Sequence, residues 1–260
     1  MEESLKFALI QTDNIWENID QNLNNLTIKL NSITNDIDVI VLPELFSTGF
    51  TMNAKSVAEN MEGKAVLWML EQAKIKDSLL MGSLLIKEGK IFYNRLVAAF
   101  PDGKIKIYDK RHLFSYAKED HVFRTGNKKL IFDYKGFRFS PLICYDLRFP
   151  VWSRNTENID VLIYVANWPN ARMFAWDTLL KARAIENLCY TIGVNRVGVD
   201  NNKLIYSGHS AVYNALGETL LDFEEGKQGI KTIILEKENI KNFREKFRFL
   251  DDQDQFKIVY

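Results

Sequence analysis

Three side chains of complementary chemistry each stand at the end of an apolar run. Cys144 closes "FRFSPLIC" ahead of "YDLRFP", Glu44 comes directly after "DVIVLP", and Lys110 follows "KIKIYD". A thiol becomes a strong nucleophile once its proton is removed, and a nearby carboxylate can accept that proton. An ammonium favours the thiolate and can stabilise an oxyanion. Were the three to meet, they would form a nucleophilic site that needs no histidine. Each also has a plain structural reading. An unpaired cysteine is commonly a small buried hydrophobe, a loop acid is commonly exposed, and a lysine beside Arg111 commonly coats a surface. Cys189, in "ENLCYTIGV", has no ionisable neighbour of clear role and reads as core, while His112 reads as structural. Spacing alone leaves both readings of Cys144, Glu44 and Lys110 open.

Whether they can meet depends on the elements that carry them. "KFALIQTD" predicts a buried strand. Ile19, Leu23, Leu26, Leu30 and Ile33 recur in alternating steps of four and three and predict one helix face. "DVIVLPEL" is too continuously apolar to have a wet face and predicts a strand inside a layered sheet. Pro43 cannot extend a hydrogen-bond ladder, so that strand is expected to end before Glu44. In an α/β fold, the carboxyl end of a strand faces the crevice where ligands bind. "KAVLWMLEQAKIK" predicts a second helix, and the segment from Ser78 to Lys110 predicts three strands turning at "EGK" and "PDGK".

The second half repeats this pattern. "FRFSPLICYD" is similar in pattern to "KFALIQTD", and "DVLIYVANWP" to "DVIVLPELF", which suggests an internal duplication. "LRFPVWSRNTENI" can hold a short helix, and Trp176, Leu179, Leu180 and Ala184 predict a helix face. Strands are expected in "CYTIGVNRVG", "IYSGHSAVYN", "ETLLDF" and "GIKTIILE". Strand and helix alternating twice over predict an α/β layered fold with helices outside. No Gly-, Ser- or Pro-rich linker divides the halves, so one domain over 1–260 is expected. "KENIKNFREKFRFLDDQDQFKIVY" predicts a helix packed by its Phe side and then an extended tail. From about 240 to 260 that tail could dock on a partner subunit.

Composition narrows the function classes. The 260 residues carry 34 Lys plus Arg and 34 Asp plus Glu, so net charge offers no electrostatic case for nucleic acid or an anionic membrane. No apolar run reaches membrane-spanning length. "MEESLKFALIQTD" lacks the basic start and cleavage site of a signal peptide, and with two cysteines predicts a cytoplasmic protein with reduced thiols. No Cys/His cluster has zinc spacing, so no metal is expected.

The stretches "LPELFSTGF", "YDKRHLF" and "LICYDLRFP", in that order, resemble the nitrilase, or carbon–nitrogen hydrolase, superfamily along nearly the whole chain. "ANWPNARMFAWDTLLKARAIENLCYTIGVNRVG" and "SGHSAVYNALGE" are similar to later segments of that family. The resemblance implies a four-layer α-β-β-α sandwich, a Glu44–Lys110–Cys144 triad and no cofactor. "KEDHVFRTG" is similar to the stretch that carries a second active-site Glu and nominates Glu119, with Asp120 adjacent. "CYDLRFP", "NWP" and "ARAIEN" most resemble the omega-amidase branch, whose members hydrolyse the terminal amide of short α-keto acids.

The mechanism this implies has Cys144 attack the amide carbon as Glu44 takes its proton, with the oxyanion held by Lys110 and the backbone N–H of Tyr145. A small-molecule amide with a carboxylate needs an arginine fork, for which Arg172 and then Arg148 are the expected anchors. Phe46, Phe50 and Trp168 are expected to line the pocket. The resemblance also implies a homodimer or higher homo-oligomer. The same triad could serve an N-carbamoyl amino acid, a nitrile or another amide, or pass the acyl group to an amine. A noncatalytic binding module would have no chemical need for all three residues.

Overall fold

Side-chain alternation explains the architecture. In β1 (Ser4–Gln11), Leu5, Phe7 and Leu9 enter one core while Ala8 and Ile10 enter another. The strand is therefore apolar on both faces and must be covered on both. The computed structural model describes residues 3–33 and 36–259. Its further elements in the first half are α1 (Ile19–Asn31), β2 (Val39–Val41), α2 (Ala54–Val57), α3 (Lys64–Lys76), β3 (Leu79–Glu88), β4 (Ile91–Ala99) and β5 (Ile105–Asp109). The second half contributes β6 (Phe132–Tyr134), β7 (Phe137–Ile143), α4 (Pro150–Ser153), β8 (Val161–Ala166), α5 (Met173–Asn187), β9 (Tyr190–Asn195), β10 (Val197–Val199), β11 (Ile205–Ser207), β12 (Ala211–Tyr213), β13 (Thr219–Asp222), β14 (Gly229–Glu236) and α6 (Lys237–Phe247).

Two six-stranded sheets result, ordered β14-β1-β2-β3-β4-β5 and β13-β12-β9-β8-β7-β6, while β10 and β11 form a separate ribbon. The sheets repeat one plan. In the first, parallel β1, β2 and β3 are flanked by antiparallel β14 on one side and by β4 and β5 on the other. In the second, parallel β7, β8 and β9 are flanked by β6 on one side and by β12 and β13 on the other. The duplication suggested by pattern is thus present strand for strand.

The four layers follow from the apolar stripes. Leu23, Leu26 and Leu30 of α1 and Val66, Met69 and Ala73 of α3 cover Ile40, Leu80 and Val97 on the outer face of the first sheet. Phe7 and Phe139, with ring centroids 6.1 Å apart, join the two inner faces. Each such buried side chain contributes about 1.5–3 kcal/mol. On the far side, α5 lies over β9, where a Cβ added to Gly193 would stand 2.7 Å from the Trp176 ring. The fold is the four-layer α-β-β-α sandwich. No described helix is long and apolar enough to cross a membrane.

The strand in "DVIVLPEL" spans Val39–Val41, with Leu42 N still donating to Met81 O at 2.7 Å, and stops before Pro43 as expected. One local expectation, at the C-terminus, is corrected. The C-terminal helix seats itself through buried Ile240 and through Arg244, which donates to Leu188 O at 3.0 Å and to Asp160 at 3.1 Å. Phe243 and Phe247 are only half-buried, because those two core-facing positions already anchor the helix.

Candidate active site

Strand direction brings the chemistry to one edge. Parallel β2 and β3 end there, β4 runs back, and β5 returns, so Glu44 after β2 and Lys110 after β5 emerge together. In the opposing sheet, Cys144 follows β7 and Asn167 follows the parallel strand β8. The backbone N–H of Asn167 donates to Glu44 Oε2 at 2.7 Å and its Nδ2 donates to Glu44 O at 2.7 Å, which ties the two sheets at this edge.

The charged cluster is fully buried. Lys110 Nζ donates to Glu44 Oε1 at 2.8 Å and to both Glu119 oxygens at 3.0 Å. Asn94, which projects from β4 on the same face as Leu96 and Ala98, donates to Glu44 Oε1 at 2.7 Å and Glu119 Oε1 at 3.2 Å. Phe114 N completes the Glu119 shell at 2.6 Å. Glu119 is thus the buried acid of the "KED" stretch, whereas Asp120 is exposed. Burial pushes the Glu119 carboxyl above its ordinary value, with the Lys110 charge opposing and Glu44 adding to the rise. Burial opposes the charge on Lys110, but Glu119 and Glu44 outweigh it and hold the ammonium well above its usual range. The cluster therefore keeps a permanent cation beside the thiol.

Cys144 lies at a 3-10 turn spanning Cys144–Arg148, with φ +45°, a left-handed conformation that is costly for a residue with a Cβ. Its Sγ stands 4.0 Å from Asn167 O. Burial first, then the Glu44 carboxylate, push the thiol well above its ordinary range, and Lys110 only partly offsets them. Cys189 is wholly buried, as read, and burial pushes its thiol up to about 12.

A cavity of about 520 Å³ opens over Cys144 and Lys110. Phe50 and Trp168 line it, with Lys110 Nζ 5.4 Å from the Phe50 ring centre. Tyr145 lines it beside Cys144. Arg148 stacks over Trp168 at 4.9 Å, and Arg172 stacks over Phe114 at 4.9 Å. Both guanidiniums line the cavity, and among the described residues neither forms an ion pair with a carboxylate. Phe46 is the exception among the expected lining residues. It packs in the outer core against Trp68, at 5.8 Å between ring centroids, because the chain reverses at Leu45 with φ +44°. Asn94 and Asn167 were missed by sequence reasoning. The internal repeat was the available signal for Asn167, since it follows β8 as Glu44 follows β2.

The carbon–nitrogen hydrolase family model matches residues 6–245, and the chain belongs to that family. Among its relatives, the omega-amidase YafV of Yersinia enterocolitica is 42% identical, with 98% of this chain and 99% of the relative covered. The 2-oxoglutaramate amidase of Bacillus subtilis is 32% identical, over 94% of this chain and 96% of its own. A solved CN-hydrolase superfamily protein of Xanthomonas campestris, with an arsenic adduct in its active site, superposes with a TM-score of 0.96 at 38% identity, covering 98% of this chain and 99% of that one. An amidase from Nesterenkonia sp. shares the fold at TM-score 0.82 and 21% identity, over 95% of this chain and 97% of its own.

Proposed function

We propose that this chain is a cysteine-dependent omega-amidase that hydrolyses the terminal amide of short α-keto acids, such as 2-oxoglutaramate and 2-oxosuccinamate, to the dicarboxylate and ammonia. The observation that carries this reading is a cavity in which the Cys144 thiol shares its walls with two guanidiniums that no carboxylate of the described residues neutralises. The names of the two amidase relatives support the same reading.

Cys144 Sγ attacks the amide carbon while Glu44 accepts the thiol proton. Lys110 and the backbone N–H of Tyr145 hold the tetrahedral oxyanion. Glu44 returns the proton to the leaving nitrogen, the C–N bond breaks and ammonia departs. Water then attacks the thioester as Glu44 takes its proton, and the acid is released with the thiol restored. Glu119, with both oxygens 3.0 Å from Lys110 Nζ, orients the ammonium. Arg172 anchors the substrate carboxylate, with Arg148 beside it. Phe50 and Trp168 shape the acyl pocket.

The cavity's charge also selects the substrate's α-position. Glu44 and Glu119 are saturated by Lys110, Asn94, Asn167 and Phe114. Asp200 is held by Asn202 N, Leu204 N and the Tyr206 hydroxyl. An α-ammonium would meet two guanidiniums and no free carboxylate among the described residues, so the 2-oxo acid is favoured over the amino acid.

The chain works as one domain over 1–260, as a homodimer or higher homo-oligomer; its α6 helix is seated on its own chain through Ile240 and Arg244, and only the exposed tail beyond that helix is left to dock on the partner. The reduced cytoplasm suits its two free thiols.

Ammonia release from 2-oxoglutaramate, 2-oxosuccinamate, glutamine, asparagine, an N-carbamoyl amino acid and an aliphatic nitrile tests the reading. Turnover is expected for the keto-acid amides, far slower for glutamine, and absent in Cys144→Ala. Turnover confined to another compound would overturn the substrate, and full activity in Cys144→Ala would overturn the nucleophile.

A further inference from the structure

Asp146 lies two residues beyond Cys144, is fully buried, and is outside the charged cluster that the reaction uses. Its carboxylate accepts four hydrogen bonds from two chain segments. Oδ2 takes Ile143 N at 3.0 Å and the Tyr108 hydroxyl at 2.7 Å. Oδ1 takes His112 N at 2.9 Å and His112 Nδ1 at 2.8 Å. The donors are arranged around the two reacting residues. Tyr108 and His112 stand two positions before and two after Lys110, and Ile143 immediately precedes Cys144. One carboxylate therefore holds the Tyr108 side chain before the ammonium, the His112 backbone and ring after it, and the strand end that leads into the left-handed Cys144.

The grip is braced further. The Tyr108 hydroxyl accepts from Trp152 Nε1 at 3.0 Å and from Arg111 N at 3.2 Å. His112 stacks on Phe149 at 3.7 Å between ring centroids. Lys110 belongs to the first sheet's last strand end and Cys144 to the second sheet, so no backbone ladder sets the distance between them. The Cys144 turn also sits at a φ that the chain does not adopt without cost.

We propose that Asp146 is a positioning residue that sets the separation of Cys144 and Lys110, and so the fit of the oxyanion between the nucleophile and the ammonium. This rests on the reading of Cys144 as nucleophile and Lys110 as oxyanion donor. Asp146→Asn keeps the size but replaces one acceptor oxygen by an NH2 donor, which leaves the backbone N–H of Ile143 or of His112 on that side without its acceptor. A displacement of the order of 1 Å between reacting groups costs about 100-fold in rate.

The test measures kcat and KM for 2-oxoglutaramate in wild type and Asp146→Asn, with folded enzyme counted by circular dichroism and by iodoacetamide labelling of Cys144. The expected result is kcat lower by about 100-fold with KM within about twofold, per labelled site. A kcat per folded enzyme within about threefold of wild type, or a KM that rises in step, would overturn the proposal. If Asp146→Asn does not fold, Tyr108→Phe and His112→Ala each remove one donor and leave the carboxylate. Each should lower kcat several-fold at constant KM, and unchanged kcat in both would overturn the proposal. Cys144→Ala and Lys110→Ala in the same assay separate the two failures. Activity in those variants sinks the proposed reaction, whereas their inactivity beside a normal Asp146→Asn sinks only the positioning role.

Discussion

In the proposed reaction, a raised thiol facing a carboxylate already bonded to a lysine ties nucleophile formation to the attack itself. Burial first and then the Glu44 carboxylate raise the Cys144 thiol above its ordinary range, which favours the protonated form before attack. The proposed transfer to Glu44 then removes any need for prior ionisation. The expected kcat/KM for the amide shows no rise between about pH 7 and pH 9, where a free thiol ionises. An ascending limb with a midpoint near about 8.5 would mean that a resting thiolate limits the reaction. Cys189 supplies a different pH signature. Its thiol titrates at about 12 in the folded state against an ordinary 9.0, so between those values the native state binds more protons than the unfolded chain. Stability therefore falls as pH rises through that window, and Cys189→Ala should flatten the slope by about one proton in urea titrations at graded alkaline pH. An unchanged slope would remove this assignment.

Placement of these groups is a property of elements. Lys110 is pinned from behind by the loop that ends in Gly126, whose N–H donates to Lys110 O at 2.9 Å. A Cβ at Gly126 would stand 2.1 Å from the carbonyl oxygen of Asp109, which is backbone and has no room to swing aside. Gly126→Ala must move the end of β5 and with it Lys110. We expect a stability loss of about 1–3 kcal/mol together with a drop in kcat, read by urea denaturation and ammonia release. Retention of both would show that β5 tolerates the shift. The glycine of "KEDHVFRTG" was visible in the sequence, but its purpose was not, because the close approach involves a residue from another strand. Phe46 is the converse case. It stands two residues beyond Glu44 in a loop of apolar aromatics, and nothing local says that the turn at Leu45 sends it to the helix side of the sheet.

At the scale of the whole molecule, α5 covers the second sheet with Trp176, Leu180 and Ala184 yet leaves Phe174 84% and Ile185 48% exposed. Apolar residues on the solvent side of a core helix are what a homodimer through that helix would bury. The proposed dimer predicts a light-scattering mass of twice the 30.2 kDa chain, shifted toward the single-chain value by Phe174→Asp. A wild-type mass equal to one chain would overturn it.

The layered class, the helices α1, α3 and α5, the strand pairs around "EGK" and "PDGK" and the duplicated plan were all legible in the chain. Hydrophobic periodicity is a local property, and a period near two or near 3.6 residues commits a segment before it has partners. The strand ends at Glu44, Lys110 and Cys144 were legible for the same reason, but spacing left their roles open, and it was the resemblance carried by "LPELFSTGF", "YDKRHLF" and "LICYDLRFP" that singled them out. Tertiary structure decided which carboxylates share Lys110, that Asn94 and Asn167 join them, that burial and Glu44 raise the thiol, and that Asp146 bridges the segments carrying Lys110 and Cys144. Those facts depend on distances between residues far apart in sequence and on how completely packing excludes water, which no local pattern encodes.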